Sequence, residues 1–193
     1  LKALSTVAVC LVVGCGAAPA EVLELSATGL VVTCPANPSF EDSGPSSSPP
    51  PGWLVPITSS PWGSGVKLLA GTNSSEGLKF VRLTTLDADS PAVIASGFFP
   101  VPAGPELVVV QLRGSGLVRL ESAYVDGAGE RVGSTIVSTA EPGPGWGSAA
   151  AVVNPPPGSE LVKLSVALVG GAAGRWADVD AITCVTRDRF GRP

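Results

Sequence analysis

Apolar and polar positions alternate along Leu117-Val118-Arg119-Leu120-Glu121-Ser122-Ala123-Tyr124-Val125, the pattern of a half-buried β-strand. Asp126-Gly127 then signals a turn and Gly129-Glu130-Arg131-Val132 resumes the chain, so a hairpin is predicted there. Nearer the start, Val22, Leu23-Glu24-Leu25 and then Leu30-Val31-Val32 predict two strands about a turn at Gly29. Further short apolar runs predict strands near 53–57, 66–70, 79–85, 92–98, 106–113, 131–138, 148–153, 160–169 and 179–186. Turn signals separate them: Gly71-Thr72-Asn73, Asp87-Ala88-Asp89, Pro102-Ala103-Gly104, Arg113-Gly114-Ser115-Gly116 and Pro155-Pro156-Pro157-Gly158. No segment shows a helical period, and no internal repeat is evident. Many short strands at this spacing predict an all-β protein, a two-sheet antiparallel β-sandwich.

Composition narrows the functional classes. The 193 residues include 24 Gly and 19 Pro, both above ordinary usage. Proline withholds the ladder hydrogen bond, so the low-complexity run at 43–52 is expected to be a surface loop. A net charge of −4, with Lys and Arg scattered, argues against a nucleic-acid surface, which needs a basic face. The chain has no histidine, which excludes the usual serine triad and the histidine-bearing zinc sites. Gly114-Ser115-Gly116 is a turn; a nucleophile elbow would need a strand before it and a helix after it. Asp87, Asp89, Asp126, Glu130 and Glu141 sit in or beside predicted turns, where carboxylates are ordinarily solvated, so no pair is set for glycoside hydrolysis. A non-catalytic protein is expected.

Residues 1–20 read as an export leader, with Lys2 as the positive region and Ala3 to Val13 as the apolar core. That core is shorter than the ~20 residues a membrane span requires. Two cleavage points compete. Val12-Val13-Gly14-Cys15 resembles a lipobox, with Cys15 lipidated, and Ala18-Pro19-Ala20 is an ordinary site with cleavage before Glu21. An extracellular or cell-surface location follows from either. Cys34 and Cys184 are then the cysteines of the folded body.

Several motifs occur in a familiar order. Ala36-Asn37-Pro38-Ser39-Phe40-Glu41-Asp42 opens it, and Gly52-Trp53 follows. Then come Val101-Pro102-Ala103-Gly104-Pro105-Glu106-Leu107, Tyr124-Val125-Asp126-Gly127-Ala128-Gly129, Trp146 and Pro156-Pro157-Gly158. The closing strand carries Ala177-Asp178-Val179-Asp180-Ala181-Ile182. This order resembles the jelly-roll carbohydrate-binding modules of the galactose-binding-like superfamily, over residues 30–187. With the leader read above, the chain divides into a leader at 1–20, a jelly-roll module over 21–187 and a short tail at 188–193. The resemblance also implies antiparallel terminal strands, through which Cys34 and Cys184 could form a disulfide in the oxidising exterior. A structural calcium ion held by Glu41 and Asp180 is implied in the same way. The family commonly has two successive aspartates in the last strand, whereas here Ala181 follows Asp180, and Asp178 would share the face of Asp180.

Sugars are held by stacking their C–H faces on aromatic rings, with hydrogen bonds to the hydroxyls around them. Trp53 and Trp146 match positions usually buried in the family and are expected in the core. Trp62, Trp176 and Tyr124 are the expected platform, with Arg82, Gln111, Arg119 and Glu121 as polar contributors. The expected function is adhesion to a polysaccharide or glycoconjugate. The alternative is a structural surface or filament subunit that uses the sandwich without a sugar, for which self-assembly would be expected.

Overall fold

A computed structural model describes residues 30–32, 35, 38–42, 50–55, 65–71, 73–86, 91–102, 104–169 and 172–187. The leader with Cys15, the expected strand at 21–29, Cys34, Trp62 and the tail lie outside the described residues.

The strands are Leu30–Val32 (β1), Trp53–Leu54 (β2), Val66–Ala70 (β3), Lys79–Thr84 (β4), Ala92–Ser96 (β5) and Phe99–Pro100 (β6). They continue with Glu106–Gly114 (β7), Leu117–Val125 (β8), Arg131–Ala140 (β9), Gly147–Val153 (β10), Leu161–Val169 (β11) and Trp176–Arg187 (β12). The first sheet has the order β10-β7-β12-β4-β3, with β1 also paired to β12. The second has the order β2-β5-β11-β8-β9, with β6 also paired to β11. Every pairing is antiparallel. Most expected strands stand within a few residues of their expected limits. The run at 92–98 instead breaks after Ser96, and a short strand at Phe99–Pro100 follows.

Alternation dictates the core. Val108, Val110 and Leu112 of β7 and Val81 and Leu83 of β4 face Val118, Leu120 and Tyr124 of β8 and Val162, Leu164, Val166 and Leu168 of β11. Each such side chain, fully buried, stabilises the fold by about 1.5–3 kcal/mol. Phe40 shows what its motif does. Its ring is fully buried, 5.0 Å from Trp53 at a tilt of 56°. The backbone there takes a φ of 61°, costly for a residue with a side chain, and burial of the ring offsets the strain.

β12 is the central strand of the first sheet and changes phase midway. Its pairing with β7 runs to Asp180↔Gln111 and resumes at Thr183↔Val109, so Ala181 and Ile182 oppose one residue in a β-bulge. Ala181 has a φ of 42° there. Before the bulge, Ala177 and Val179 point inward; after it, Ile182 and Cys184 do. Asp178 and Asp180 are thereby left on the outward side of the sheet.

Candidate functional site

The outward side of the first sheet carries a transverse row of charged side chains. In antiparallel strands, residues in direct register share a face. Lys67 of β3 opposes Arg82 of β4, Arg82 opposes Asp178 of β12, and Asp178 opposes Arg113 of β7. At an interstrand spacing of about 4.8 Å, this row spans about 14 Å. Trp146, just before β10, extends it, because Gly147 opposes Leu112.

Asp178 organises the row. Arg82 donates from Nε to Oδ1 at 2.6 Å and from Nη2 to Oδ2 at 2.8 Å, and Arg113 donates from Nε to Oδ2 at 2.8 Å. The carboxylate is fully buried, while the Arg82 and Arg113 side chains are 36% and 14% exposed. Hydrogen bonding to Asp178 holds the Arg82 guanidinium still more firmly protonated than usual. Rings fix the other side of each guanidinium. Arg82 lies 4.6 Å from the centroid of Trp176; Arg113 lies 4.6 Å from Trp146 and 5.0 Å from Phe80. Phe80 and Trp146 meet edge-on, with centroids 5.9 Å apart at 82°. In the adjacent row, Gln111 donates from Nε2 to Ser148 Oγ at 2.8 Å.

The β3–β4 loop is pinned beside this row from three directions. Trp146 Nε1 donates to the Asn73 carbonyl at 2.6 Å. Asp180 Oδ2 accepts from the N–H groups of Ser75 and Glu76, at 2.8 and 2.9 Å, and Oδ1 from its neighbour Ala181. Glu41 Oε1 accepts from Leu78 and Lys79, at 2.8 and 2.7 Å, while Lys79 Nζ donates to the Glu41 carbonyl. Burial pushes the Asp180 carboxyl above the ordinary carboxylate range, and the three N–H bonds oppose that shift. Gly77 is required in this loop: its φ is 64°, and a Cβ would fall on the Glu41 carboxylate.

Glu41 and Asp180 thus reach one loop, as carboxylates of a shared cation site would, but both accept backbone hydrogens there. Among the described residues, no group of three or more Asp, Glu, Cys or His could hold a metal. An oxygen already receiving two N–H donors is poorly placed to face a cation, so the pair fits loop anchoring better than calcium in this arrangement.

The other expected site residues are dispersed. Trp176, Arg82 and Gln111 share the first-sheet face. Trp53 is in the core at 2% exposure, as expected. Two expectations need correction. Tyr124 is 1% exposed, because it shares the inward parity of Val118 and Leu120 on β8, so its ring cannot serve a surface sugar. Trp146 is half-buried on the outward face rather than in the core, held by Arg113, Phe80 and Asn73. Arg119 faces outward from the second sheet, 3.7 Å from Glu121, so it does not join Trp176. Lys67, Arg113 and Phe80 were not anticipated as site residues; their grouping depends on strand register.

A separate open cleft of about 500 Å³ lies at one end of the sandwich, between Ser115, Leu117, Glu141, Pro142, Val169 and Arg175. It offers no ring, and Arg175 donates to the Ser115 carbonyl.

No protein-family model matches the chain, and no curated protein sequence matches it. Solved structures match it in fold. TmCBM61, in complex with β-1,4-galactotriose, aligns with a TM-score of 0.50 at 21% identity, over 79% of this chain and 96% of that one. The CBM22-1 xylan-binding domain from Paenibacillus barcinonensis Xyn10C aligns with a TM-score of 0.54 at 14% identity, over 82% and 96%. The Stig cyclase Fisc from Fischerella sp. TAU, in complex with an indole compound, aligns with a TM-score of 0.61 at 13% identity, over 81% and 97%. The fold is therefore the jelly-roll sandwich seen in carbohydrate-binding modules. A cyclase uses it as well, so fold alone does not assign chemistry.

Proposed function

We propose that this chain is a non-catalytic carbohydrate-binding module that adheres to a polysaccharide or glycoconjugate through the outward face of its first sheet. The observation that carries this reading is the Arg82–Asp178–Arg113 cluster, held between Trp176 and Trp146. Pre-aimed planar donors beside aromatic rings are what hydroxyl-rich ligands require, and rigid strands hold them in place. Similarity in fold to a galactotriose-bound module and a xylan-binding domain supports the same class of ligand. Hydrolysis would need two carboxylates open to the substrate; Asp178 and Asp180 are both fully buried and engaged by N–H donors. A glycan array probed with the full chain tests the proposal. Binding to a defined glycan class supports it, and a blank array with folded protein refutes it.

Three further elements belong to the proposal. Export through the leader places the module outside the cell, and mass spectrometry of the mature N-terminus distinguishes lipidated Cys15 from a start at Glu21. A disulfide between Cys34 and Cys184 ties the first strand to the last. A structural calcium ion at Glu41 and Asp180 would have to displace N–H donors that both carboxylates accept in this arrangement. A melting temperature unchanged between calcium and EDTA would remove the ion from the account.

One observation favours the alternative of a structural subunit. β9 ends the second sheet, and Val132 to Ala140 contain neither a charge nor a proline, so two breaks in its register with β8 are the edge protection this stretch carries. Sedimentation showing concentration-dependent assembly, together with a blank array, would move the reading there.

A further inference from the structure

We infer that the ligand of the first-sheet face is an anionic glycan whose negative charge comes from uronate carboxylates, an inference that rests on the glycan-binding reading above. The row itself supplies the argument. The row holds three cations, Lys67, Arg82 and Arg113, and a single carboxylate, Asp178, which pairs with the two arginines alone and leaves two positive charges in excess within the row. This is a local exception in a chain of net charge −4. Asp180, in the adjacent row, is fully buried with its oxygens turned to the N–H groups of Ser75, Glu76 and Ala181.

The donors left over match an anion. Arg82 commits Nε and Nη2 to Asp178, and Arg113 commits Nε. Among the described residues, Arg82 Nη1, both Nη atoms of Arg113 and Lys67 Nζ have no hydrogen-bond acceptor. Lys67 is exposed, in direct register with Arg82. The planar fork of a guanidinium suits the two oxygens of a carboxylate, and such charge-assisted bonds are roughly twice as strong as neutral ones.

The rings point the same way. Each guanidinium lies over a tryptophan at 4.6 Å, so Trp176 and Trp146 each give a face to an arginine instead of to a sugar. In this arrangement the rings position the arginines, and the arginines meet the ligand. A neutral glycan would leave the spare cationic donors only hydroxyls to engage, whereas a uronate supplies the missing counter-charge.

Isothermal titration of the full chain in calcium-free buffer tests this. The probes are sodium oligogalacturonate, its carboxyl-reduced neutral counterpart and dextran sulfate. Oligogalacturonate should bind, weaken with added salt, and lose at least about tenfold in affinity on carboxyl reduction. Arg82→Gln should weaken binding by about tenfold, and Lys67→Gln, at an exposed position outside the buried ion cluster, by about threefold. Equal binding of the neutral form, or full affinity in Lys67→Gln and Arg82→Gln alike, would overturn the inference and leave the glycan-binding reading standing. Dextran sulfate bound without oligogalacturonate would overturn the choice of carboxylate. A protein blank to these probes and to a neutral glycan array would overturn both readings.

Discussion

The Asp178→Asn substitution probes the arrangement that orders the outward face. It preserves volume, so no cavity complicates the result. It removes the charge and turns an amide N–H toward one guanidinium where three charge-assisted hydrogen bonds, at 2.6, 2.8 and 2.8 Å, now converge. Removing one partner of a buried ion pair costs about 3–5 kcal/mol. Here the arginine side chains are 36% and 14% exposed and can recover part of their hydration, which lowers the expected cost to about 2–3 kcal/mol. For a chain of this length, that corresponds to a fall in melting temperature of about 4–12 °C. Urea unfolding followed by tryptophan fluorescence measures the free energy directly. The Arg82→Gln variant and the double variant complete the cycle, and the two single losses should exceed the double loss. A cost under about 0.5 kcal/mol for Asp178→Asn, or strict additivity, would refute the claim that Asp178 organises the row.

Tyr124 is the single tyrosine, so its ionisation can be followed alone by ultraviolet absorbance. Burial, aided by the charge of Glu106, raises its pKa above the usual 10.0. The stability tied to the protonated hydroxyl should be complete below about pH 10 and lost as pH rises through the higher folded value; a folded midpoint at or below the denatured one would contradict this. Gly77→Ala should destabilise by about 1–3 kcal/mol, from a left-handed φ and a Cβ placed on the Glu41 carboxylate, and an unchanged urea midpoint would count against the loop's constraint. Val32 opposes Val185, beside fully buried Cys184, so the proposed bridge to Cys34 should leave neither cysteine open to alkylation under denaturing, non-reducing conditions. Its reduction should cost up to about 4–5 kcal/mol on the chain-entropy account, and label on both cysteines would refute the pairing.

The strands were legible because alternation and turn chemistry are local. Val118, Leu120 and Tyr124 alternate with Arg119 and Glu121, and β8 follows that pattern throughout. The same parity turns the Tyr124 ring inward with Val118 and Leu120. The face itself was only partly legible. Trp176, Arg82 and Gln111 could be named as residue types suited to sugars. That Arg82 and Arg113 converge on one aspartate depends on register between positions 96 and 65 residues apart in sequence. Trp146 sits in a Gly-Pro-Gly-Trp-Gly run with no alternation to report its side, and its place is fixed by Arg113 and Asn73. The β12 bulge was equally hidden, since nothing local in Asp180-Ala181-Ile182 announces the extra residue that turns Ile182 and Cys184 inward.

The central claim is that the outward face of the first sheet is the ligand surface. The most direct test is an NMR titration of the isotope-labelled chain with the glycan it binds, reading backbone amides and the indole N–H signals of the tryptophans. The account predicts shifts confined to Lys67, Arg82, Gln111, Arg113, Trp146 and Trp176. Shifts centred instead on the cleft of Ser115, Leu117 and Glu141, or on Arg119 and Glu121 of the second sheet, would contradict it.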